Sequence, residues 1–309
     1  MNEAVRPVVA VVGSINMDFV VESPLFPLPG QTVLGKSISY FPGGKGANQA
    51  VAAARLGADV RMIGAVGGDE FGGKLEAVLR KEGIDTRGVR VTDGATGIAS
   101  ILVSGGENTI VVVPGANGAL RPEDVHGNAG LIEAADIVLV QLEIPFETVE
   151  AALRLAKTAG KKTVLNPAPA GVFPDEWLQW TDIVTPNETE LAALVGAERL
   201  DDPAVLESAM RKLHDRGAER IIVTLGANGA VLSARNGEIV RVPGRKVEVV
   251  DTTGAGDTFH GALAAAWAGG ASLAEALQTA VDASALSVTR QGAQTGMPAA
   301  AELERWRRE

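Results

Sequence analysis

Residues 246–267 read KVEVVDTTGAGDTFHGALAAAW. A β-branched run, Lys246–Val250, predicts a strand. A turn with glycines at 254 and 256 follows, and then an Ala-rich helix over Ala255–Trp267. Strand, glycine turn and helix make the repeating unit of an open α/β sheet. The helix starts as the glycines end, so its first backbone N–H groups point at whatever sits beside the turn. That is an anion hole suited to a transferring phosphoryl group. Asp257 falls in the first turn, where the helix dipole favours its ionised form. Such a carboxylate either accepts a hydroxyl proton as the oxygen attacks phosphorus, or caps the helix.

The same alternation extends across the chain. Val8–Val12 reads as a buried strand and Gly46–Leu56 as a helix stopped by Gly57. Val60–Val66 is a strand and Glu70–Lys81 an amphipathic helix closed by Gly83. Further strands fall at 136–140, 162–165, 182–184 and 220–224. Further helices fall at 146–158, 188–195, 203–216 and 272–288. The expected fold class is α/β: a doubly wound, mostly parallel sheet with helices on both faces. Two stretches break the pattern. Strand-like pieces at 17–22 and 32–41 flank a Pro-rich turn, and pieces at 97–103 and 109–113 flank SGGEN. These predict a small antiparallel β-sheet lid, formed by about 16–41 and 97–113, on one domain spanning 1–309. No internal repeat or linker is visible.

Composition narrows the function. The chain has 309 residues, 46% of them apolar, enough for a sizeable core. The formal charge is −10 with no Lys/Arg run, which argues against a nucleic-acid partner. Cysteine is absent, so disulfides, thiolate nucleophiles and Cys-held zinc are excluded. The three histidines, His126, His214 and His260, are far apart and form no His-x-x-x-His pair. His260, at the start of the 255–267 helix, either touches a ligand there or, the preferred reading, is a plain helix-surface residue. No apolar run is long enough for a membrane span, and none resembles a signal-peptide core. A soluble cytoplasmic protein is expected. Gly68–Lys74 matches the spacing of a P-loop, but Leu75 stands where a Mg²⁺-binding hydroxyl is needed.

Other polar motifs cluster after strands, where open α/β sheets bind ligands. Asn16 and Asp18 in GSINMD (13–18) alternate with apolar neighbours and either bond hydroxyls or form an Asx turn. Gly44, Lys45 and Asn48 in PGGKGANQA (42–50) form either a polar clamp or a glycine turn before a helix. Glu143 ends QLE (141–143). Asn187 and Glu190 in TPNETE (185–190) form either a capping box or a Mg²⁺–phosphate environment. Thr224, Gly226 and Gly229 in TLGANG (224–229) pass close to a nucleotide or make a hairpin turn.

Taken together and in this order, with NPAPA (166–170) and VTRQGAQ (288–294), these motifs resemble the ribokinase/PfkB family of carbohydrate kinases. The resemblance runs from Gly13 to about Gly296. GGKGAN, NPAPA and TPNETE point to its ribokinase branch. The resemblance implies ATP-dependent phosphorylation of D-ribose at the 5-hydroxyl, with deoxyribose, fructose or adenosine as alternative acceptors. A non-catalytic sugar sensor on the same scaffold is the other reading. It implies Asp257 as base and Gly254, Ala255 and Gly256 as anion hole. Asn16, Asp18, Gly44, Lys45, Asn48, Glu143 and Asp257 would bind sugar. Asn187, Thr224, Gly226, Gly229 and Gly256 would bind ATP, with Glu190 near Mg²⁺ through water. Asp251, Thr253, Ser287, Arg290, Gly292 and Gly296 would match a monovalent cation site, usually potassium. It also implies a homodimer through the lid. Val281 falls where relatives often carry Asn or His near the adenine, so the contact expected there is apolar.

Overall fold

The computed structural model describes residues 6–200 and 202–308. Its centre is β1 (Val8–Val12), with residues 9–12 fully buried. Val9 and Val11 enter one core, and Ala10 and Val12 the other. A strand covered on both faces has no need of polar alternation, and this one has none.

The chain continues through β2 (Asn16–Glu22), β3 (Ser37–Gly43), α1 (Lys45–Arg55), β4 (Asp59–Gly67), α2 (Glu70–Lys81), β5 (Asp85–Thr92), β6 (Gly97–Ser104) and β7 (Glu107–Val113). Next come α3 (Pro122–Gly127), α4 (Ala129–Glu133), β8 (Ile137–Gln141), α5 (Phe146–Thr158), β9 (Lys162–Asn166), β10 (Ile183–Val184), α6 (Glu188–Val195) and α7 (Pro203–Asp215). The last elements are β11 (Arg220–Thr224), β12 (Ala230–Ala234), β13 (Ile239–Val242), α8 (Ala255–Ala268), α9 (Leu273–Ser287), α10 (Ala293–Gly296) and α11 (Ala300–Trp306).

Nine strands form the main sheet in the order β13-β12-β11-β10-β9-β8-β1-β4-β5. Neighbours pair in parallel from β11 to β5, and β12 and β13 add an antiparallel edge. α1, α2, α8 and α9 cover one face, through residues such as Ala50, Leu75, Leu263 and Leu277. α5, α6 and α7 cover the other, through Leu153, Leu191 and Leu213. From β1 the chain winds outward to β4 and β5, then returns to build β8 to β11 on the opposite side. The winding therefore reverses between β1 and β8, and a crevice opens beyond their carboxyl ends.

Small residues let α1 approach closely. A Cβ on Gly46 would lie 2.6 Å from the Gly13 carbonyl carbon, and one on Gly261 of α8 would lie 2.6 Å from the Gln49 oxygen. The sequence GANQAVAAA is thus shaped for contact with β1 and α8 rather than for bulk.

A separate sheet runs β3-β2-β6-β7, with β2 and β6 parallel and the outer pairs antiparallel. Gly105 and Gly106, at φ 60° and 85°, turn the β6–β7 hairpin. Positive φ at both central residues matches the strand twist and favours glycine. Phe19 and Tyr40 pack one face of this sheet onto Phe71 of α2, with Phe19 centroids 5.0 and 5.3 Å from the two rings. Asp18, Val20 and Ile101 line a cleft on the other.

Three differences from the sequence reading have physical causes. Lys246–Val250 forms no strand; Val249 and Val250 are exposed and have no strand neighbour to pair with. The strand expected over 32–41 begins only at Ser37. β5 and β13 carry too few apolar residues in alternation to stand out, because each is an edge strand, and β12, wholly buried, is only five residues long. Among the described residues no helix is long and apolar enough to cross a membrane.

Candidate active site

α8 begins at Ala255, after Gly254 in the left-handed region at φ 74°. A Cβ there would be strained and would also lie 2.9 Å from the Ala293 Cα. The first intrahelical bond runs from the Thr258 N–H to the Gly254 oxygen at 2.8 Å, so the N–H groups of Gly256 and Asp257 precede the helical ladder. Asp257 is buried, and its carboxylate does not cap the helix. Oδ2 accepts from Asn48 Nδ2 at 2.9 Å and Oδ1 from Gln49 Nε2 at 3.1 Å.

The crevice between β1 and β8 gathers the polar residues of three motifs. Glu143 Oε2 accepts from Ser14 Oγ at 2.6 Å and from the Lys45 N–H at 3.1 Å. Asn16 is buried at the start of β2, and its Oδ1 accepts from Asn117 Nδ2 at 2.7 Å. Asn117 also braces the Ile15 backbone, accepting at 2.9 Å and donating at 3.1 Å. Gly43 and Gly44 are needed as glycines: a Cβ on Gly43 would lie 2.2 Å from Asp18 Oδ2, and one on Gly44, at φ 86°, 2.7 Å from the Asn16 nitrogen.

Asp18 Oδ1 is buried without a hydrogen-bond partner. Burial first, then the negative charges of Glu143 and Asp257, push its pKa up to about 7 against the pull of Lys45. Burial works against the charge on Lys45, yet Asp257, Glu143, Glu190 and Asp18 together raise its pKa. The ammonium therefore stays protonated and offsets four carboxylates.

Two cavities of about 460 Å³ each flank the start of α8 and share Val249 and Thr252 in their walls. The first is largely apolar and takes in Thr224, Gly226, Gly229, Gly256, Phe259 and Val281. The TLGANG segment that edges it is also the turn joining β11 to antiparallel β12, which is the hairpin reading of that motif. The second cavity takes in Asp18, Asp251, Thr253 and Gly292.

Asn187 and Glu190 form a reciprocal capping box at α6. The Glu190 carboxylate accepts from Asn187 N at 2.9 Å and Nδ2 at 3.0 Å, and Asn187 Oδ1 accepts from the Glu190 N–H at 2.8 Å. Asn187 also bridges to Thr224, which puts the pair at the mouth of the first cavity. Burial raises the Glu190 pKa despite the Asn187 donor and Lys45.

Asp251 Oδ1 accepts from Thr253 N at 2.9 Å and Oγ1 at 2.7 Å, and Oδ2 from the Gly292 N–H at 2.8 Å. Burial opposes its charge, but these donors hold its pKa below the usual carboxylate value. The Gly296 N–H reaches the Gly292 oxygen at 3.0 Å. A Cβ on Gly296 would lie 2.7 Å from the Ser287 oxygen and 3.6 Å from that of Arg290. Thus Asp251, Thr253, Ser287, Arg290, Gly292 and Gly296 meet in one loop cluster. Its donors are one carboxylate and backbone oxygens, a set that suits a hard cation.

His260 corrects the sequence reading. It is buried rather than on the helix surface, with Nδ1 2.6 Å from the Gly256 oxygen and Nε2 3.3 Å from the Thr185 oxygen. Burial pushes its pKa down to about 4, so the ring is neutral at pH 7. One turn of α8 separates it from Gly256, a spacing visible in the sequence; its burial was not. Ser14, Gln49, Asn117, Gln141, Asn166 and Gln294 were also not singled out as site residues. All six are buried and reach the site through hydrogen bonds. The usable signal was polar side chains inside otherwise small or apolar runs, as with Gln49 in GANQAVAAA.

Comparison with known proteins places this arrangement. The family model described as pfkB family carbohydrate kinase matches residues 7–300. A ribokinase of Haemophilus influenzae is 43% identical over 295 residues, covering 95% of this chain and 96% of that protein. A deoxyribokinase of Salmonella typhimurium is 38% identical over 293 residues, covering 94% and 95%. The structure of Arabidopsis thaliana ribokinase complexed with ribose and ATP superposes with a TM-score of 0.91 at 34% identity, covering 97% of this chain and 98% of that one.

Proposed function

The chain belongs to the pfkB family of carbohydrate kinases and is an ATP-dependent sugar kinase, and from that premise we propose that it phosphorylates D-ribose at the 5-hydroxyl. The observation that supports the mechanism is the meeting of two cavities at Val249 and Thr252, just before α8, with Asp257 held by Asn48 in the first turn of that helix. ATP, as its magnesium complex, enters the apolar cavity edged by Asn187, Thr224, Gly226, Gly229 and Gly256. Val281 gives the adenine an apolar contact. Ribose lies on the other side, its hydroxyls met by Asn16, Asp18, Gly44, Lys45, Asn48 and Glu143. Asn117 occupies Asn16 Oδ1, which leaves the Asn16 Nδ2 to donate to a sugar oxygen.

Asp257 takes the proton of the 5-hydroxyl as that oxygen attacks the γ-phosphorus in line, and ADP leaves on the opposite side. The anion hole at Gly254, Ala255 and Gly256, where the Gly256 N–H is open, meets the charge that builds on the phosphoryl oxygens. Glu190 would help hold the magnesium through water, and the metal would offset charge on the phosphates. The β3-β2-β6-β7 sheet closes the sugar side as a lid and keeps water from competing as acceptor. Asp251, Thr253, Ser287, Arg290, Gly292 and Gly296 would hold a monovalent cation, potassium in the first instance. When bound, it would supply fixed charge that steadies the loop before α8.

A second copy of the chain covers the lid. This reading is supported by Ile110 and Val111 of β7, 53% and 64% exposed on opposite faces of an edge strand that a second strand could cover.

Deoxyribose is the second reading, favoured by the 38% identical deoxyribokinase. The test is ADP release by purified protein with Mg-ATP across ribose, 2-deoxyribose, fructose, adenosine and no sugar, with and without potassium. Ribose-dependent release stimulated by potassium is the expected outcome. Release with deoxyribose alone would replace the substrate and keep the mechanism. Folded protein silent with every sugar would remove the ribose reading.

A further inference from the structure

Two chains of buried amide side chains converge on Asp257, one on each carboxylate oxygen. Gln294 Nε2 donates to Asn48 Oδ1 at 3.0 Å, and Asn48 Nδ2 donates to Asp257 Oδ2. Gln141 Nε2 donates to Gln49 Oε1 at 2.6 Å, and Gln49 Nε2 donates to Asp257 Oδ1. Gln49 Nε2 also reaches Asn166 Oδ1 at 3.1 Å, whose Nδ2 lies 3.3 Å from the Thr185 oxygen. Gln49 and Gln141 are fully buried.

The direction of both chains follows from one end. An ionised carboxylate only accepts, so Gln49 and Asn48 must turn their NH₂ groups to it. Their oxygens then face away, and only an NH₂ from Gln141 or Gln294 satisfies them. Gln141 holds this orientation although its own Oε1 is left buried and unpartnered. That oxygen sits against Gly13, where a Cβ would lie 1.9 Å away. A buried polar atom left unpaired costs free energy, and turning the Gln141 amide round would only set oxygen against oxygen.

We propose that Gln141, acting through Gln49, is a positioning residue for Asp257: the amide chain fixes the carboxylate rotamer so that it is aimed to take the sugar proton. The proposal rests on the reading of Asp257 as the base. Asp257 needs such support because the charged groups around it oppose each other. Asp18 of β2, Glu143 after β8 and Glu190 of α6 bring negative charge, Lys45 of α1 brings positive charge, and His260 one turn along α8 is neutral. Aligned amide donors add stabilisation of the anion without adding another titrating group, and donors in series polarise one another.

The variant Gln141→Met tests this, since Gln141 touches neither Asp257 nor either cavity. The expected result is a kcat about tenfold lower or more, with KM for sugar and Mg-ATP within about twofold, and the acid limb of the kcat–pH profile moved to higher pH. Gln49→Met should be at least as slow, and the double variant no slower than Gln49→Met alone, because one residue works through the other. A folded Gln141→Met with unchanged kcat and pH profile, or penalties that multiply in the double variant, would overturn the proposal. A measurement on the unmodified protein covers failure to fold: the Gln49 side-chain NH₂ resonance should shift with pH at the midpoint of the acid limb. A flat trace would also overturn it. Asp257→Asn separates the two readings. If it retains turnover, the base assignment falls and this inference with it; if it is inert while Gln141→Met is normal, only the inference falls.

Discussion

Asp18 is a carboxylate that the fold holds against its own preference. Its pKa in the unfolded chain is near 3.8 and in the folded chain about 7, chiefly through burial. Between those values the folded protein keeps a proton that the unfolded chain has released. Stability therefore falls as pH rises through this window, and the full cost is present above it. Asn at this position does not titrate. Asp18→Asn is expected to match the parent near pH 4 and to exceed it by about 1–3 kcal/mol at pH 8. Thermal melts of both proteins across that range check this, and an advantage independent of pH would contradict it. The same substitution should weaken sugar binding, since Asp18 lines the cleft. Asp257→Asn should lower kcat by about 10² to 10⁴, the usual worth of a general base, and single-turnover kinetics would show it. Asp257, Asp18 and Asn48 stand in motifs whose residue types announce chemistry. Gln49 and Gln141 do not, because an amide in a helix or at a strand end is ordinary until its partners are known.

The contact between α1 and α8 aligns Asn48 and Gln49 with Asp257, and it depends on glycine. Gly261 lies one turn after Asp257, and a Cβ there would meet Ala52 Cβ at 2.6 Å and the Gln49 oxygen at 2.6 Å. Backbone cannot yield as a flexible side chain does, so Gly261→Ala should push the helices apart. The expected cost is about 1–3 kcal/mol of stability, with a fall in kcat beyond that seen for Gly73→Ala, where space is open. Denaturant unfolding and steady-state kinetics of the two variants decide the matter. Helix limits were legible because their punctuation is local. Asp69 caps α2, Ser272 caps α9, and Gly196 ends α6 in the left-handed conformation. β12 and β13 were not read, since strands of five and four residues owe their shape to a neighbour rather than to their own periodicity.

The small sheet walls the second cavity on one side and residues 249–253 and 291–293 on the other, so under the proposed function association of two chains through that sheet would act on sugar binding. A second copy over β7 predicts sedimentation at twice the 31.8 kDa of one chain. Val111→Lys, on the face away from the cleft, should shift the protein toward monomer and raise KM for the sugar more than KM for Mg-ATP. A monomeric parent would contradict this, as would a dimer unaffected by the charge. Much of the whole could be read beforehand. The period of the apolar runs imposes parallel strands under helices, and the order of the glycine and acid motifs marks a phosphoryl-transfer family, because such signals lie within a few residues of chain. Other features emerge only on folding. Asn48 meets Asp257 across 209 positions and Gln294 across 246, His260 turns inward, and Lys45 comes to balance four carboxylates. Those relations depend on distance and burial in space, and a one-dimensional pattern of residue types carries neither.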